Sequence, residues 1–239
     1  VIISKSHKFI FIHIRKTAGE SVTAMLEPHL RRGDFLPNGD PRRRMESSIR
    51  LGSPPYPSLT KHSSAIEIRQ ELPPDLWNEC YKFSIVRHPV DRMVSFYQWA
   101  GRIHAQRNRW RPHHAWYYLT PSGRREEPNR WPAVRAYSTT DSFAEFIRHP
   151  LIADSHDMHD QANAICDPEG KILVDFVAHF ERIDEDFRQI QQAIGLPCES
   201  LVRTNVSTAR GGPTVVDRED EEYLGRVFRR DFDLFGYDN

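Results

Sequence analysis

Twice in this chain a short apolar segment runs into a polar loop and then into a helical stretch, and this repetition constrains the fold more than any other feature. Lys8 to Ile14 (KFIFIHI) is dense in β-branched and aromatic residues, the pattern of a strand covered on both faces. It gives way to Arg15, Lys16, Thr17, Ala18, Gly19, Glu20 and Ser21, and then to a helical stretch from Val22 to Leu30. Tyr81 to Val86 (YKFSIV) repeats the pattern, followed by RHPVDRMVSFYQWA with Pro89 in the first helical turn, where its missing N–H costs nothing. A third strand is expected over Lys171 to Phe180. Further helices are expected over Thr60 to Leu72, stopped by Pro73 and Pro74, and around Phe143 to Ile147, capped by Asp141 or Ser142. Two more are expected over Asp184 to Ile194, closed by Gly195, and over Asp217 to Arg230. Strands alternating with helices imply a three-layer α/β fold with a central parallel sheet, whose ligands sit at the carboxyl ends of the strands.

With 239 residues, 38% of them apolar, the chain can bury a core, so neither a disordered chain nor a mini-protein fits. It reads as a single domain over residues 1–239 with insertions at about 31–59 and 102–135. No apolar run approaches the ~20 residues a membrane span needs, and the first residues lack the pattern of a secretory signal. Cys80, Cys166 and Cys198 are widely spaced and form no Cys-x-x-Cys pair, which argues against a disulfide framework and for a reducing compartment. A cytoplasmic protein is therefore expected, without a membrane partner. The 33 basic and 33 acidic residues cancel, yet residues 1–135 hold 23 Lys and Arg against 12 Asp and Glu, while residues 136–239 hold 10 against 21. A positive first half favours an anionic ligand there.

The first loop is suited to that ligand. Helix N-termini leave N–H groups without intrahelical partners and add partial positive charge, so a strand-to-helix junction attracts phosphate or sulfate. Arg15 and Lys16 add full charges, Gly19 lets the backbone approach closely, and Thr17 and Ser21 bring hydroxyls. The order is not that of a Walker A loop, because Lys16 precedes Gly19. At the second strand end Arg87 can fork two oxygens of one phosphate and Ser95 can donate from the next helix, while Arg92 suits packing or an ion pair. Two anion sites on adjacent strand ends imply a ligand with two separated phosphates.

These segments resemble a known family. FIHIRKTAGES is similar to the 5′-phosphosulfate loop, usually PKTAGTS, of sulfotransferases that use 3′-phosphoadenosine-5′-phosphosulfate (PAPS), and RHPVDRMVS resembles their 3′-phosphate motif R-x-P-x-x-R-x-x-S. KHSSAIEIR, VDFVAHFERIDEDF, RTNVS and RRDFDLFGY resemble further family segments, so the likeness covers most of the chain outside 31–59 and 102–135. It is strongest to bacterial members of the carbohydrate group, related to the heparan and uronyl 2-O-sulfotransferases. The resemblance implies a P-loop NTPase-like fold and PAPS as sulfuryl donor, with no metal required. It also implies that Lys16 and the amides of Thr17 to Ser21 hold the 5′-phosphosulfate, and that Arg87 with Ser95 holds the 3′-phosphate. Arg15 and Glu20 depart from the pattern, and Glu20 is expected to face solvent or to pair with Arg15.

Sulfuryl transfer needs positive charge at the bridging oxygen, a suitable task for Lys16, and a base for the acceptor's proton. His62 resembles the base of the 2-O-sulfotransferase relatives, and with a pKa near the ordinary ~6.5 it would serve at neutral pH. Its other reading is a residue packing near Thr60 at the start of a helix, and His13 reads as structural. Arg210, in the stretch Ala209 to Gly212, is a candidate lid residue reaching the cofactor. The segment Asp154 to Asp160, with His156 and His159, has metal-ligand spacing but names no third ligand, and no metal is expected. Residues 102–135 combine eight arginines with Trp110, Trp116, Tyr117, Tyr118 and Trp131. That composition suits an anionic saccharide and single-stranded nucleic acid equally, and a solvated, partly packed insertion at least as well as either; no nucleic-acid partner is expected for the chain as a whole. PAPS, its product 3′,5′-adenosine bisphosphate (PAP) and a hydroxyl acceptor of saccharide type are the expected partners. The competing activities are a kinase-like phosphotransferase, disfavoured because no Walker B strand accompanies the loop, and a non-catalytic module binding anionic polysaccharide.

Overall fold

A computed structural model of the chain describes residues 1–37, 47, 49–52, 56–107, 131–153, 155, 158–201 and 214–238. Its strands are β1 (Ile2–Ser4), β2 (Phe9–Ile12), β3 (Tyr81–Val86) and β4 (Phe176–His179). They form one mixed sheet in the order β1-β2-β3-β4. β2, β3 and β4 run parallel, with Ile12 opposite Ser84 and Val86 opposite His179, so their carboxyl ends share one edge. β1, which the sequence pattern did not reveal, lies antiparallel to β2, and Ile3 exchanges two backbone hydrogen bonds with Phe35 on its outer side.

The described chain clusters into two compact units. The first comprises Val1–His88, Asp160–Val206 and Asp233–Gly236 and carries the sheet. Its helices are α1 (Gly19–Leu26), α2 (Ala65–Glu71), α3 (Pro74–Glu79), α8 (Ala162–Ile165) and α9 (Ile183–Ala193). Phe9, Phe11, Phe83 and Ile85 from the sheet pack with Val22 and Leu26 of α1 and with Phe187 and Ile190 of α9. The architecture is the expected α/β one, a central and mostly parallel sheet flanked by helices. The second unit contains the long helix α4 (Pro89–Arg107), then α5 (Pro132–Ser138), α6 (Phe143–Arg148), α7 (Pro150–Ala153) and α10 (Arg218–Val227). Met93, Phe96 and Ala100 of α4 pack there with Phe146 of α6 and Leu224 of α10, and Arg92 is buried with its guanidinium 4.8 Å from the Phe228 ring. A last helix, α11, spans Arg229–Phe235. Among the described residues no helix is long and apolar enough to cross a membrane.

Local chemistry explains where the elements depart from expectation. The helix expected from Thr60 begins only at Ala65, because Ser64 and Glu67 form a reciprocal capping box. Pro74, expected only to stop a helix, starts α3, a first-turn position that proline favours. The third strand shortens to Phe176–His179 because Ile172 and Leu173, at the start of the expected run, turn back through Gly170 and pair with Cys166 and Ile165 instead of with β3. The C-terminal helix breaks near Phe228 into α10 and α11.

The turn between β1 and β2 is pinned by Asp34. Its buried carboxylate accepts from the N–H groups of Lys5, Ser6 and Arg31 and from the hydroxyls of Ser4 and Ser6, at 2.7 to 3.1 Å. Burial pushes the Asp34 pKa up, but these hydrogen bonds outweigh it and hold it below the ordinary value of 3.8. A depressed folded pKa stabilises the fold fully above the unfolded value and ceases to do so as pH falls through the folded one. Asp34→Asn is expected to cost about 2 kcal/mol at pH 7. It should also flatten the loss of stability between pH 5 and 2 relative to wild type, as measured by urea unfolding across that range.

Candidate active site

The loop after β2 has an unusual backbone. Lys16 and Ala18 both lie in the left-handed region, at φ +69° and +67°, a conformation that costs non-glycine residues about 1–3 kcal/mol each. Alternation of this kind turns successive N–H groups toward one concavity. Ala18 is the N-cap of α1, and no side chain caps that terminus. The first intrahelical bond shown runs from the Val22 N–H to the Ala18 carbonyl. A helix cannot satisfy its own first N–H groups, so this end suits an anion.

Gly19 fixes how the loop sits. A Cβ there would lie 1.9 Å from Nε2 of His13, so α1 starts with its backbone pressed on the imidazole. His13 is buried, stacks on Phe11 at 5.6 Å and is held neutral chiefly by burial, in keeping with a structural role. Thr17 is buried as well, and its hydroxyl donates to the Ile14 carbonyl at 3.0 Å. The hydroxyl proton therefore braces the loop, and toward an anion Thr17 presents its amide. Arg15 is exposed, Lys16 half-buried and Ser21 buried. Glu20 is exposed, one of the two placements expected from the sequence, and its carboxylate forms an ion pair with Lys61.

His62 lies beside this loop. Its ring packs edge-on to His13 with centroids 4.8 Å apart, and its Nδ1 is 3.0 Å from the His13 carbonyl oxygen. A carbonyl only accepts, so Nδ1 carries the proton and Nε2 keeps its lone pair. The ordinary pKa expected from sequence does not hold. Burial lowers it, the bond to the His13 carbonyl raises it and the Arg15 charge lowers it again, leaving about 3. His62 is thus neutral at physiological pH.

At the end of β3, Arg87 links neighbouring segments. A guanidinium N–H donates to the Lys16 carbonyl at 3.4 Å, and the plane lies 4.2 Å from the Phe180 ring. Gln161 accepts from the Arg87 N–H at 2.9 Å and donates to its carbonyl at 2.8 Å. Lys16, His62 and Arg87 therefore all belong to the first unit. Ser95 lies half-buried on α4 in the second unit. Arg210, His156 and most of residues 102–135 lie outside the described residues. Among the described residues no group of three or more His, Cys, Asp and Glu is placed to hold a metal.

A sequence model described as the Sulfotransferase family matches residues 1–238. The chain belongs to the sulfotransferase family. A shorter similarity, 32% identity over 66 residues, connects this chain to an uncharacterized protein of Archaeoglobus fulgidus. That match covers 28% of this chain and 53% of the other, so it spans about half of the relative's length. No solved structure matches.

Sequence reasoning missed Lys61, Gln161 and the Phe180 platform. Lys61 and Phe180 fall inside segments that carry the family resemblance, so their neighbourhood was signalled although their contacts were not. Nothing in the sequence around Gln161 marks it. Gly19→Ala is expected to cost about 2 kcal/mol or more through overpacking. His13→Ala in the same chain should recover part of that loss, a coupling measurable by a double-mutant cycle of urea unfolding.

Proposed function

We propose that the protein moves a sulfuryl group from PAPS to a hydroxyl of an acceptor, with a carbohydrate as the acceptor class. One observation carries the reading: an uncapped helix N-terminus preceded by Lys16 and two left-handed residues, beside a histidine whose proton sits on the nitrogen away from its free lone pair. Family membership supports sulfuryl transfer in general. The donor follows from the two strand-end segments, and the acceptor class from the resemblance to carbohydrate sulfotransferases.

The residues present fit such a donor. The site offers backbone N–H groups at a strained, closely packed glycine corner, cationic side chains at two adjacent strand ends and no capping side chain to displace. In this reading Lys16 and the amides of Thr17 to Ser21 hold the 5′-phosphosulfate and Arg87 holds the 3′-phosphate. Arg15 adds charge from the exposed side. The parts given to Ser95 and Arg210 rest on the sequence pattern alone. When bound, PAPS supplies a sulfuryl group activated as a phosphosulfate anhydride. Lys16 brings positive charge to the oxygen that accumulates negative charge. His62 accepts the hydroxyl proton at Nε2 while Nδ1–H stays on the His13 carbonyl, which fixes the ring's orientation during the transfer.

A pKa near 3 makes His62 correctly deprotonated but weakly basic. A bound polyanion stabilises the imidazolium and so raises that pKa, which places the stronger base in the loaded site. Two expectations follow for pH profiles between 5 and 9. The free-enzyme quantity kcat/KM should show no acid limb from His62, because the imidazole is neutral throughout, whereas the acid limb of kcat should lie at higher pH than about 3.

Calorimetric binding of PAP and ADP, each with and without Mg²⁺, tests the donor. PAP should bind without Mg²⁺ and better than ADP, and Arg87→Ala should weaken it about tenfold or more. Lys16→Ala should lower kcat by about 10²-fold or more. ADP or ATP binding better, and only with Mg²⁺, would replace this reading with a phosphotransferase. Binding of neither nucleotide, with Lys16→Ala leaving polysaccharide binding intact, would favour a non-catalytic polysaccharide-binding module.

A further inference from the structure

Glu20 is the second residue of α1, and a full negative charge there opposes any anion held at the same terminus. Family pattern puts Thr or Ser at this position. The structure supplies the missing counterpart: the Glu20 carboxylate pairs with the ammonium group of Lys61. Lys61 is the residue immediately before His62. The His62 ring is in turn tied to the His13 carbonyl through Nδ1, its backbone N–H lies 3.3 Å from the Thr60 hydroxyl, and the His13 ring supports Gly19, the neighbour of Glu20. Gly19, His13, His62, Lys61 and Glu20 thus form a closed circuit of contacts.

We propose that the Glu20–Lys61 ion pair is a positioning element, which cancels the carboxylate's charge at the anion site and holds the His62 segment against the loop that carries Lys16. This rests on the reading of His62 as the base and of the loop as the donor site. An ordinary surface ion pair does neither. The Glu20 and Lys61 side chains are 52% and 29% exposed, so the pair adds little to global stability, and its loss should leave the melting temperature nearly unchanged. Its effects are expected at the site, where a small misplacement of a reacting group is costly.

The two partners should fail differently. Lys61→Met leaves an uncompensated carboxylate beside the anion, so PAP affinity should fall about tenfold and kcat about tenfold. Glu20→Gln removes the charge and weakens the tether, so kcat should fall while PAP affinity holds or rises. The double exchange Glu20→Lys with Lys61→Glu restores the tether with its polarity reversed, and kcat should recover toward wild type.

The experiment combines calorimetry with PAP, kcat over pH, circular-dichroism melting and NMR of the His62 imidazole in wild type and these three variants. Both single variants should shift the His62 ring resonances or its titration while the fold is retained, and the exchange should bring them back. If both single variants keep wild-type kcat, pH profile and His62 resonances, the pair is a solvated surface contact and the proposal is overturned. If wild type binds no PAP, the donor reading fails separately. The His62 resonances then decide the pair by themselves, movement in both single variants upholding it and no movement refuting it. If Lys61→Met does not fold, Glu20→Gln and the exchange carry the same comparison.

Discussion

The approach of the α1 backbone to the His13 imidazole at Gly19 is the contact on which the rest of the site depends. It brings the start of the helix down onto the end of β2 and leaves room for hydrogen alone at that position. With the ring fixed below, the His13 carbonyl becomes the acceptor that selects the tautomer of His62. One residue therefore supports a helix terminus with its side chain and orients a second histidine with its backbone. Its neutrality is part of the design, because a charged imidazole buried under a helix N-terminus would meet the dipole's positive end.

Left-handed backbone at Lys16 and Ala18 opposes folding, and the surrounding packing sustains it. Phe9, Phe11, Phe83 and Ile85 are fully buried in the core beneath α1, and the Thr17 hydroxyl closes the loop onto Ile14. The Arg87 guanidinium adds a brace from the next strand through the Lys16 carbonyl. Of the three non-glycine residues with left-handed backbone among the described residues, Lys8 lies in the turn before β2, while Lys16 and Ala18 gather at the strand's carboxyl end, the pattern expected where a backbone is shaped for a ligand rather than for stability.

Much of this was legible in the sequence because apolar runs and strand-end loops are local signals. β2 and β3 followed from KFIFIHI and YKFSIV, the start of α4 from Pro89, and the α/β class from their alternation. What stayed hidden depends on contacts between distant residues. β1 has only three residues and gains its place by pairing with β2 and Phe35, which no local pattern announces. Glu20 looked misplaced because its partner lies 41 residues away, and the pKa of His62 depends on burial by segments that sequence alone does not bring together. The shortened β4 shows the converse: the apolar run was real, but Ile172 and Leu173 pair back onto Cys166 and Ile165 rather than with β3.

Gln161 ends β3 in a way that carries a chemical liability. Its primary amide mimics a peptide group, presenting one acceptor and one donor to the matching pair on Arg87, as a neighbouring strand would. Only a carboxamide has that complementarity. Hydrolysis of this side chain to a carboxylate, a slow reaction of ageing proteins, would replace the NH₂ with oxygen and set negative charge against the Arg87 carbonyl. The damage would exchange a single non-hydrogen atom and leave the fold's core untouched, yet it would act on the residue that joins the ends of β2 and β3.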